Sequence, residues 1–393
     1  MLALVIIFFI FIIVSIILGL YYGLKEKEKD NYNQIVKWVA VGSDSNDQEN
    51  ILFSEDGKHW QVSTGISFSE SGRGVAYGTS DGSNPLWVAV GFDNSNDQEN
   101  ILFSEDGKDW QVSTGISFSL QGNGVAYGTS NGTSPLWVAA GNDSLNPQEN
   151  ILFSEDGKDW QVSTGANFSS QGIGVAYGTS NGTSPLWVAV GDGRLGPDNI
   201  LFSEDGKDWQ VSTGINFSSQ GNGVAYGTSN GTSPLWVAVG DDSLNPQENI
   251  LFSEDGKDWQ VSTGASFIIS GRGIAYGTSD GSNPLWVAVG SNSRAFPNII
   301  LFSEDGKHWQ VSTGISFSSD GNGVAYGLDE NNNPLWVAVG IDSNGQECIL
   351  FSENGKHWQV STGISFSGTG NGVASNLLNP ALKGSPAAPP FPS

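Results

Sequence analysis

From about residue 34 onward the chain alternates short apolar runs with polar stretches rich in Gly, Asn, Ser and Pro, and the runs return in a fixed order. In one copy they are Gly74 to Gly78 (strand A), Leu86 to Gly91 (strand B), Ile101 to Ser104 (strand C) and Trp110 to Thr114 (strand D). Strands A to C are apolar at odd and even positions alike, as in Val75 and Tyr77 against Ala76, or Trp87 and Ala89 against Val88 and Val90. Such strands need cover on both faces. Strand D alternates Trp110, Val112 and Thr114 with Gln111 and Ser113, which suits an outer edge with one wet face. Each copy thus predicts a four-stranded antiparallel unit.

Strand C runs into D through a stretch of the type Ile-Leu-Phe-Ser-Glu-Asp-Gly-Lys-Asp-Trp, whose final Trp falls at Trp60, Trp110, Trp160, Trp209, Trp259, Trp309 and Trp358, a period of 49 or 50 residues. A period of that size marks a repeat architecture. The Asp-Gly pair predicts a two-residue hairpin turn with positive φ, in which Ser54 and Asp56 accept backbone N–H groups around Gly57 and Trp60 covers the turn. The structural residues of these hairpins are Ser54, Asp56, Gly57 and Trp60 in the first copy, then Asp106, Asp156, Asp205, Asp255 and Asp305 with their tryptophans. Small sheets packed face to face about an axis satisfy all these demands, which predicts a β-propeller. The ends of the chain are complementary. The N-terminal end starts at a strand B (Trp38 to Gly42), and the C-terminal end stops with a lone strand A (Gly372 to Ser375). The expected fold is all-β, a seven-bladed propeller of four-stranded blades closed by a split blade, spanning residues 37–376.

The hairpin stretch Ser-Glu-Asp-Gly-Lys-Asp-Trp resembles the Asp-box (BNR repeat) of sialidase-like propellers, with one residue fewer before the Trp and with Asn354 in the Asp place of the last copy. The resemblance covers every repeat and implies that the hairpin joins the third and fourth strands of a blade. For a sialidase it would further imply an arginine cluster, a Tyr nucleophile with a Glu partner, and an Asp acid/base. The chain has four arginines, Arg73, Arg194, Arg272 and Arg294, and lacks the Arg-Ile-Pro signature. Tyr77, Tyr127, Tyr177, Tyr226, Tyr276 and Tyr326 share one register of strand A and read as packing.

Ahead of the repeats, Leu2 to Tyr22 is an apolar run interrupted by Ser15 and Gly19. At ~1.5 Å per residue it can cross a hydrocarbon core of roughly 30 Å. It predicts a transmembrane anchor over 1–24, followed by a charged linker over 25–36. The expected state is a single-pass membrane protein, with its side of the membrane open: Lys25, Lys27 and Lys29 point to a cytosolic body, whereas sequons at Asn131, Asn142, Asn167, Asn181, Asn216 and Asn230 suit an exterior one. The chain enters the repeats at the hairpin side of a strand B, which turns the hairpins toward the membrane. Residues 377–393, rich in Pro and Ala, predict a disordered tail.

The net charge is −25, with 16 Lys and Arg against 41 Asp and Glu. That balance excludes a nucleic-acid partner, which needs clustered cations. The lone Cys348 excludes an intramolecular disulfide framework. His59, His308 and His357 recur on hairpins of separate blades and cannot converge on one zinc ion, and the loop Asp44 to Asn50 lacks the central Gly and the spaced Glu of an EF-hand. No cofactor, metal or catalytic set is expected. What varies among the copies is the B-to-C loop and the residue just before strand A, and both fall on the face opposite the hairpins. Recognition usually sits on loops of a rigid scaffold. The candidate partner-binding residues are Arg73, Phe92, Asn123, Ile173, Arg194, Asn222, Arg272 and Arg294. The expected function is non-enzymatic binding of a protein or glycan. The alternatives are a glycan-directed hydrolase or lyase, and a structural surface or virion membrane protein.

Overall fold

The computed structural model describes residues 35–44, 50–93, 99–143, 149–193, 199–242, 248–292, 299–342 and 348–378. The expected membrane helix and linker, most of the tail and the tips of the B-to-C loops lie outside the described residues. Among the described residues no helix is long and apolar enough to cross a membrane. All regular structure among the described residues is β, and the strands pair as repeated blades of a β-propeller.

Blade 2 shows the plan. Strand A (Ser71–Thr79) pairs with B (Pro85–Phe92), B with C (Ile101–Ser104), and C with D (Asp109–Val112), all antiparallel. The expected strand D, Trp110 to Thr114, in fact breaks after Val112. Thr114–Gly115 leaves its own blade and pairs in parallel with Asp159 and Trp160, the D strand of the next one. Each blade therefore has a fifth, outermost strand, E, supplied by the preceding repeat, and D is not the edge. A two-residue strand was hidden in the sequence because Ser-Thr-Gly has no apolar signature of its own.

The split blade is closed by two strands from the C-terminal side. Trp38–Ser43 pairs with Thr369–Ser375, with Trp38 opposite Ser375 and Val41 opposite Gly372. Thr362–Gly363 pairs in parallel with His59 and Trp60. A ring of ion pairs closes at the same place. Each hairpin lysine reaches the hairpin glutamate of the blade before it, as Lys108 does Glu55 at 3.1 Å and Lys158 does Glu105 at 2.7 Å, and Lys58 completes the circle on Glu353 at 2.8 Å.

The core is a set of layers between blades. Leu86 to Val90 of strand B are at most 2% exposed, and Trp110 packs with Val39, Val41, Phe53, Tyr77 and Trp87 from two adjoining blades. Double-sided apolar strands are thereby covered on both faces. Leu377 and Leu378, placed in the tail by composition, belong to the packed body, since Leu378 lies against this cluster.

The hairpin differs from the expected two-residue turn. C ends at Ser54 and D starts at His59, so the connection has four residues, Glu55 to Lys58. Gly57 has φ 75, while Asp56 is not among the positive-φ residues. Ser54 Oγ accepts the Gly57 N–H at 2.8 Å, and Asp56 Oδ1 accepts those of Lys58 and His59, each at 2.8 Å. The aromatic against the turn is not Trp60 but Trp38 of strand B, whose Nε1 lies 2.8 Å from the place a Cβ on Gly57 would occupy. Trp60 is buried in the layer between blades.

Candidate binding face

The residues that vary before strand A lie within it, on a β-bulge. Gly72 pairs with Gly91 and Gly74 with Val90, so Arg73 is an extra, unpaired residue. The same shift recurs around Asn123, Ile173, Asn222, Arg272 and Asn322. Bulges re-aim side chains. They also bring neighbouring inner strands together: a Cβ on Gly74 would stand 2.8 Å from the Asn123 carbonyl, and one on Gly372 would stand 2.6 Å from that of Arg73. The bulge residues therefore form a closed ring around one mouth of the axial channel, and only Gly fits beside them.

Around this ring the asparagines are used for packing. Asn123 Nδ2 donates to the Gly172 carbonyl at 2.8 Å, Asn222 to Gly271 at 2.8 Å, and Asn371 to Gly72 at 2.8 Å, each stapling the next blade. Arg272 is exposed, donates to Asn322 at 3.1 Å and pairs with Asp320 at 3.3 Å. Arg73 is exposed too, and among the described residues no carboxylate lies within ion-pair distance of it. In the place of Asp320 the neighbour of Arg73 has Gln121, whose amide donates to Asn123 at 2.9 Å. Ile173 is half-buried. Phe92, expected in a loop, ends strand B opposite Ser71 and also pairs with Gln121 of the next blade. Arg194 and Arg294 lie outside the described residues.

Two exposed residues on this face were overlooked. Ile268 and Ile269 are 44% and 48% exposed, where blades 4, 5 and 7 carry two serines. The Ile269 N–H donates to the Ser291 carbonyl at the end of strand B, which places the pair on the bulge side of blade 6. A comparison of repeats position by position would have found them. The buried staple Asn150 was likewise hidden in a variable loop: its Nδ2 donates to the Phe168 carbonyl at 2.9 Å and its Oδ1 accepts the Phe168 N–H. Ile299 and Cys348 replace that Asn in the last two copies, so Cys348 is a core residue.

The opposite face repeats almost unchanged, and its charges are tied to one another. A groove of 690 Å³ there is lined by Asn230, Asn283, Glu304, Asp305, His308 and Lys356. Lys356 reaches Glu304 at 2.6 Å, and His308 reaches Asp305 at 2.7 Å. Burial works against the Asp305 carboxylate, yet hydrogen bonds from the His308 side chain and from the Lys307 and His308 N–H groups hold it down at about 2. Of the sequons, Asn181 and Asn230 sit on exposed turns and accept hydrogen bonds from Thr183 and Thr232.

The axial channel opens on this hairpin side with a volume of 270 Å³ and a wall of Val, Ala and Tyr residues of strand A. Its lining contains no carboxylate, histidine, lysine or arginine. Five of the six tyrosine hydroxyls, all but that of Tyr77, lie in the seams between blades, where they meet threonines of the preceding blade, as Tyr127 meets Thr79. Among the described residues there is no group of three or more His, Cys, Asp or Glu that could hold a metal ion.

No family model matches the chain, and no curated protein matches it. Among solved structures it is similar to a lectin from Burkholderia pseudomallei, at 16% identity and a TM-score of 0.52, covering 85% of this chain and 100% of that one. It is also similar to virginiamycin B lyase from Staphylococcus aureus, at 10% identity and a TM-score of 0.50, covering 75% and 84%. An ancestral GH74 enzyme matches at 15% identity and a TM-score of 0.50, covering 77% of this chain and 38% of that one. The chain likewise spans 43% of the length of a GH74 xyloglucanase from Xanthomonas campestris. At such identities the likeness is one of fold, the β-propeller.

Proposed function

We propose that this chain is a seven-bladed, membrane-anchored propeller that binds a protein or glycan partner on its bulge face and performs no catalysis. One observation carries the reading. Exposed side chains that depart from the repeat and lack an internal partner, Arg73, Ile268 and Ile269, lie on the face of the bulges, whereas the hairpin face repeats itself and pairs its charges internally. Loops and irregular positions on a rigid scaffold are where recognition is placed. The hairpins are of the Asp-box type in this reading, which the paired roles of Ser54 and Asp56 support, and they hold the scaffold. Residues 2–22 anchor it in a membrane.

The hydrolase or lyase alternative draws support from the fold of the GH74 and lyase neighbours, which is associational. Glycoside hydrolysis ordinarily sets two carboxylates about 5 to 10 Å apart at the reacting bond. The described channel wall offers only tyrosine, serine and threonine hydroxyls as side-chain polar groups. Photo-crosslinking tests the binding face in the intact chain, with one probe at Ile269 and one at Lys158 of a hairpin. Partner adducts should concentrate at Ile269; equal yield at Lys158 would reject the assignment of the face. Turnover of any glycan by the purified chain would reject the non-catalytic part.

A further inference from the structure

Where the hairpin face departs from strict repetition, in the turns between strands A and B, the departures are coupled. Blades 2 and 6 carry Asp-Gly-Ser-Asn there, starting at Asp81 and Asp280. Asp81 uses both carboxylate oxygens: Oδ1 accepts the Ser83 and Asn84 N–H groups at 2.9 and 2.8 Å, and Oδ2 accepts the Asn84 amide at 2.6 Å. Asp280 does the same with Ser282 and Asn283. Blades 3, 4 and 5 instead carry Asn-Gly-Thr-Ser, starting at Asn131, Asn181 and Asn230. Asn181 Oδ1 still accepts the Thr183 and Ser184 N–H groups, at 3.2 and 2.9 Å, so the turn is kept. The second atom is now an amide nitrogen, and the Asn that would face it has become Ser184. Every side-chain hydrogen bond of Asn181 and Asn230 among the described residues is made through Oδ1, which leaves Nδ2 unpartnered.

A free Asn amide with a Thr hydroxyl two residues on is the acceptor pattern for an N-linked oligosaccharide. Asn131, Asn181 and Asn230 are exposed together with Thr133, Thr183 and Thr232, and the Thr183 and Thr232 hydroxyls donate to the Oδ1 of their own Asn at 2.9 Å. Asn230 also lines the 690 Å³ groove, beside Asn283, His308 and Gln310, so a first sugar has room and polar neighbours there. The other sequons are built into the body. Asn142 ends strand B opposite Gln121. At Asn167 and Asn216 the middle residue of the sequon, Phe168 or Phe217, is buried in the core, and Oδ1 of the Asn is buried too. Their hydroxyls are already in use, Ser169 on the Asp192 carbonyl at 2.9 Å and Ser218 on the Asp242 carboxylate at 2.6 Å.

We propose that Asn131, Asn181 and Asn230 are N-glycosylation sites, that Asn142, Asn167 and Asn216 are not, and that the body lies on the exoplasmic side of its membrane. In the transfer, the Asn Nδ2 attacks the anomeric carbon of an oligosaccharide carried on a lipid pyrophosphate. A C–N bond forms as the C–O bond to the pyrophosphate breaks, Nδ2 gives up one proton, and the lipid pyrophosphate leaves. Blades 3 to 5 then carry glycans side by side on the hairpin face, which shields that arc and leaves the bulge face open to a partner.

The proposal takes from the functional reading only the anchor at residues 2–22, and the test separates the two. The full-length chain is made in cultured mammalian cells, its membrane integration is read by resistance to alkaline carbonate extraction, and its mass is compared before and after treatment with a peptide-N-glycosidase. A membrane-integral chain should lose glycan mass, with conversion to Asp at Asn131, Asn181 and Asn230 alone. Asn181→Asp, which recreates the turn of Asp81, should remove one glycan and melt like the deglycosylated parent. Thr183→Ala should remove the same glycan and Thr183→Ser keep it, whereas a hydroxyl that only shaped the turn would leave occupancy unmoved. A membrane-integral chain whose mass does not change, or glycans carried at Asn142, Asn167 or Asn216, overturns the proposal. Carbonate extraction of a chain glycosylated at the expected sites upholds it and rejects the anchor; extraction of an unglycosylated chain rejects both.

Discussion

The hydroxyls of Thr79 and Tyr127 lie 2.7 Å apart across the seam between adjacent blades, and the Thr79 carbonyl accepts the indole N–H of Trp137 at 3.0 Å. Thr179 repeats the arrangement with Tyr226 and Trp236. At the split blade it fails, because Ser375 and Leu377 stand in the Tyr and Thr positions. Tyr77, whose partner would have been at 377, has a buried hydroxyl with no partner, and burial beside Tyr127 pushes that group up to about 12. Removing a satisfied hydroxyl should cost more than removing an orphaned one. Tyr127→Phe is expected to destabilise by ~1 kcal/mol, and Tyr77→Phe to be neutral or slightly stabilising. Denaturant unfolding of the two variants compares them directly, and the reverse order would mean that the Tyr77 hydroxyl is bonded.

The hairpin glycine is bound by more than its backbone angle. A Cβ on Gly206 would stand 2.5 Å from Leu136 Cδ2 and 2.9 Å from the Trp187 ring nitrogen, in addition to φ 75. Strain and overpacking therefore act together, and Gly206→Ala should cost about 2 to 4 kcal/mol rather than the ~1 of a free turn. Trp209→Ala, in a buried layer, should cost ~3 to 5 kcal/mol. Chemical denaturation with Gly206→Ala within 1 kcal/mol of the parent would show that the hairpin yields away from strand B.

Why the blade was legible and the bulge face was not has a physical reason. Strand B announces itself because Leu86 to Val90 are buried on both sides, and burial writes an apolar run into the sequence. Strand E, at Thr64–Gly65, and the bulge at Arg73 are backbone events with no required side chain, so periodicity cannot report them. Asn123 and Arg73 looked equivalent as variable positions; only the neighbouring blade distinguishes a staple to Gly172 from an unpaired guanidinium.

Closure depends on residues far apart in sequence. Thr362–Gly363 and Thr369–Ser375 supply the outermost and innermost strands of the split blade. Ending the chain at Ser361 should leave Trp38 to Val41 with an open edge, lower the melting temperature by more than 10 °C, the scale expected for losing two strands of one sheet, and yield oligomers in size exclusion. A monomeric peak with the parental melting temperature would overturn the split-blade account.

Acid should unlock the hairpins. Asp56, Asp106, Asp156, Asp205 and Asp255 are all held below the ordinary carboxylate range: burial opposes this, and hydrogen bonds from the turn outweigh it. Asp305 is held at about 2. In the unfolded chain an Asp titrates near ~3.9. Between those values the unfolded state binds more protons, so stability rises with pH through the window. The Asp305 contribution is complete above about pH 4 and is lost as pH falls toward about 2, and those of the other five are lost in the same direction, as pH falls below the ordinary carboxylate range. The last hairpin provides the control, since Asn354 Oδ1 already accepts the Lys356 and His357 N–H groups at 2.9 and 3.0 Å without a charge. Asp305→Asn should therefore keep the turn, unfold more easily than the parent at pH 6, and converge with it near pH 2. Urea titrations across that range would measure the gap, and a gap that stays constant with pH would mean that the Asp305 charge plays no part in holding the hairpin.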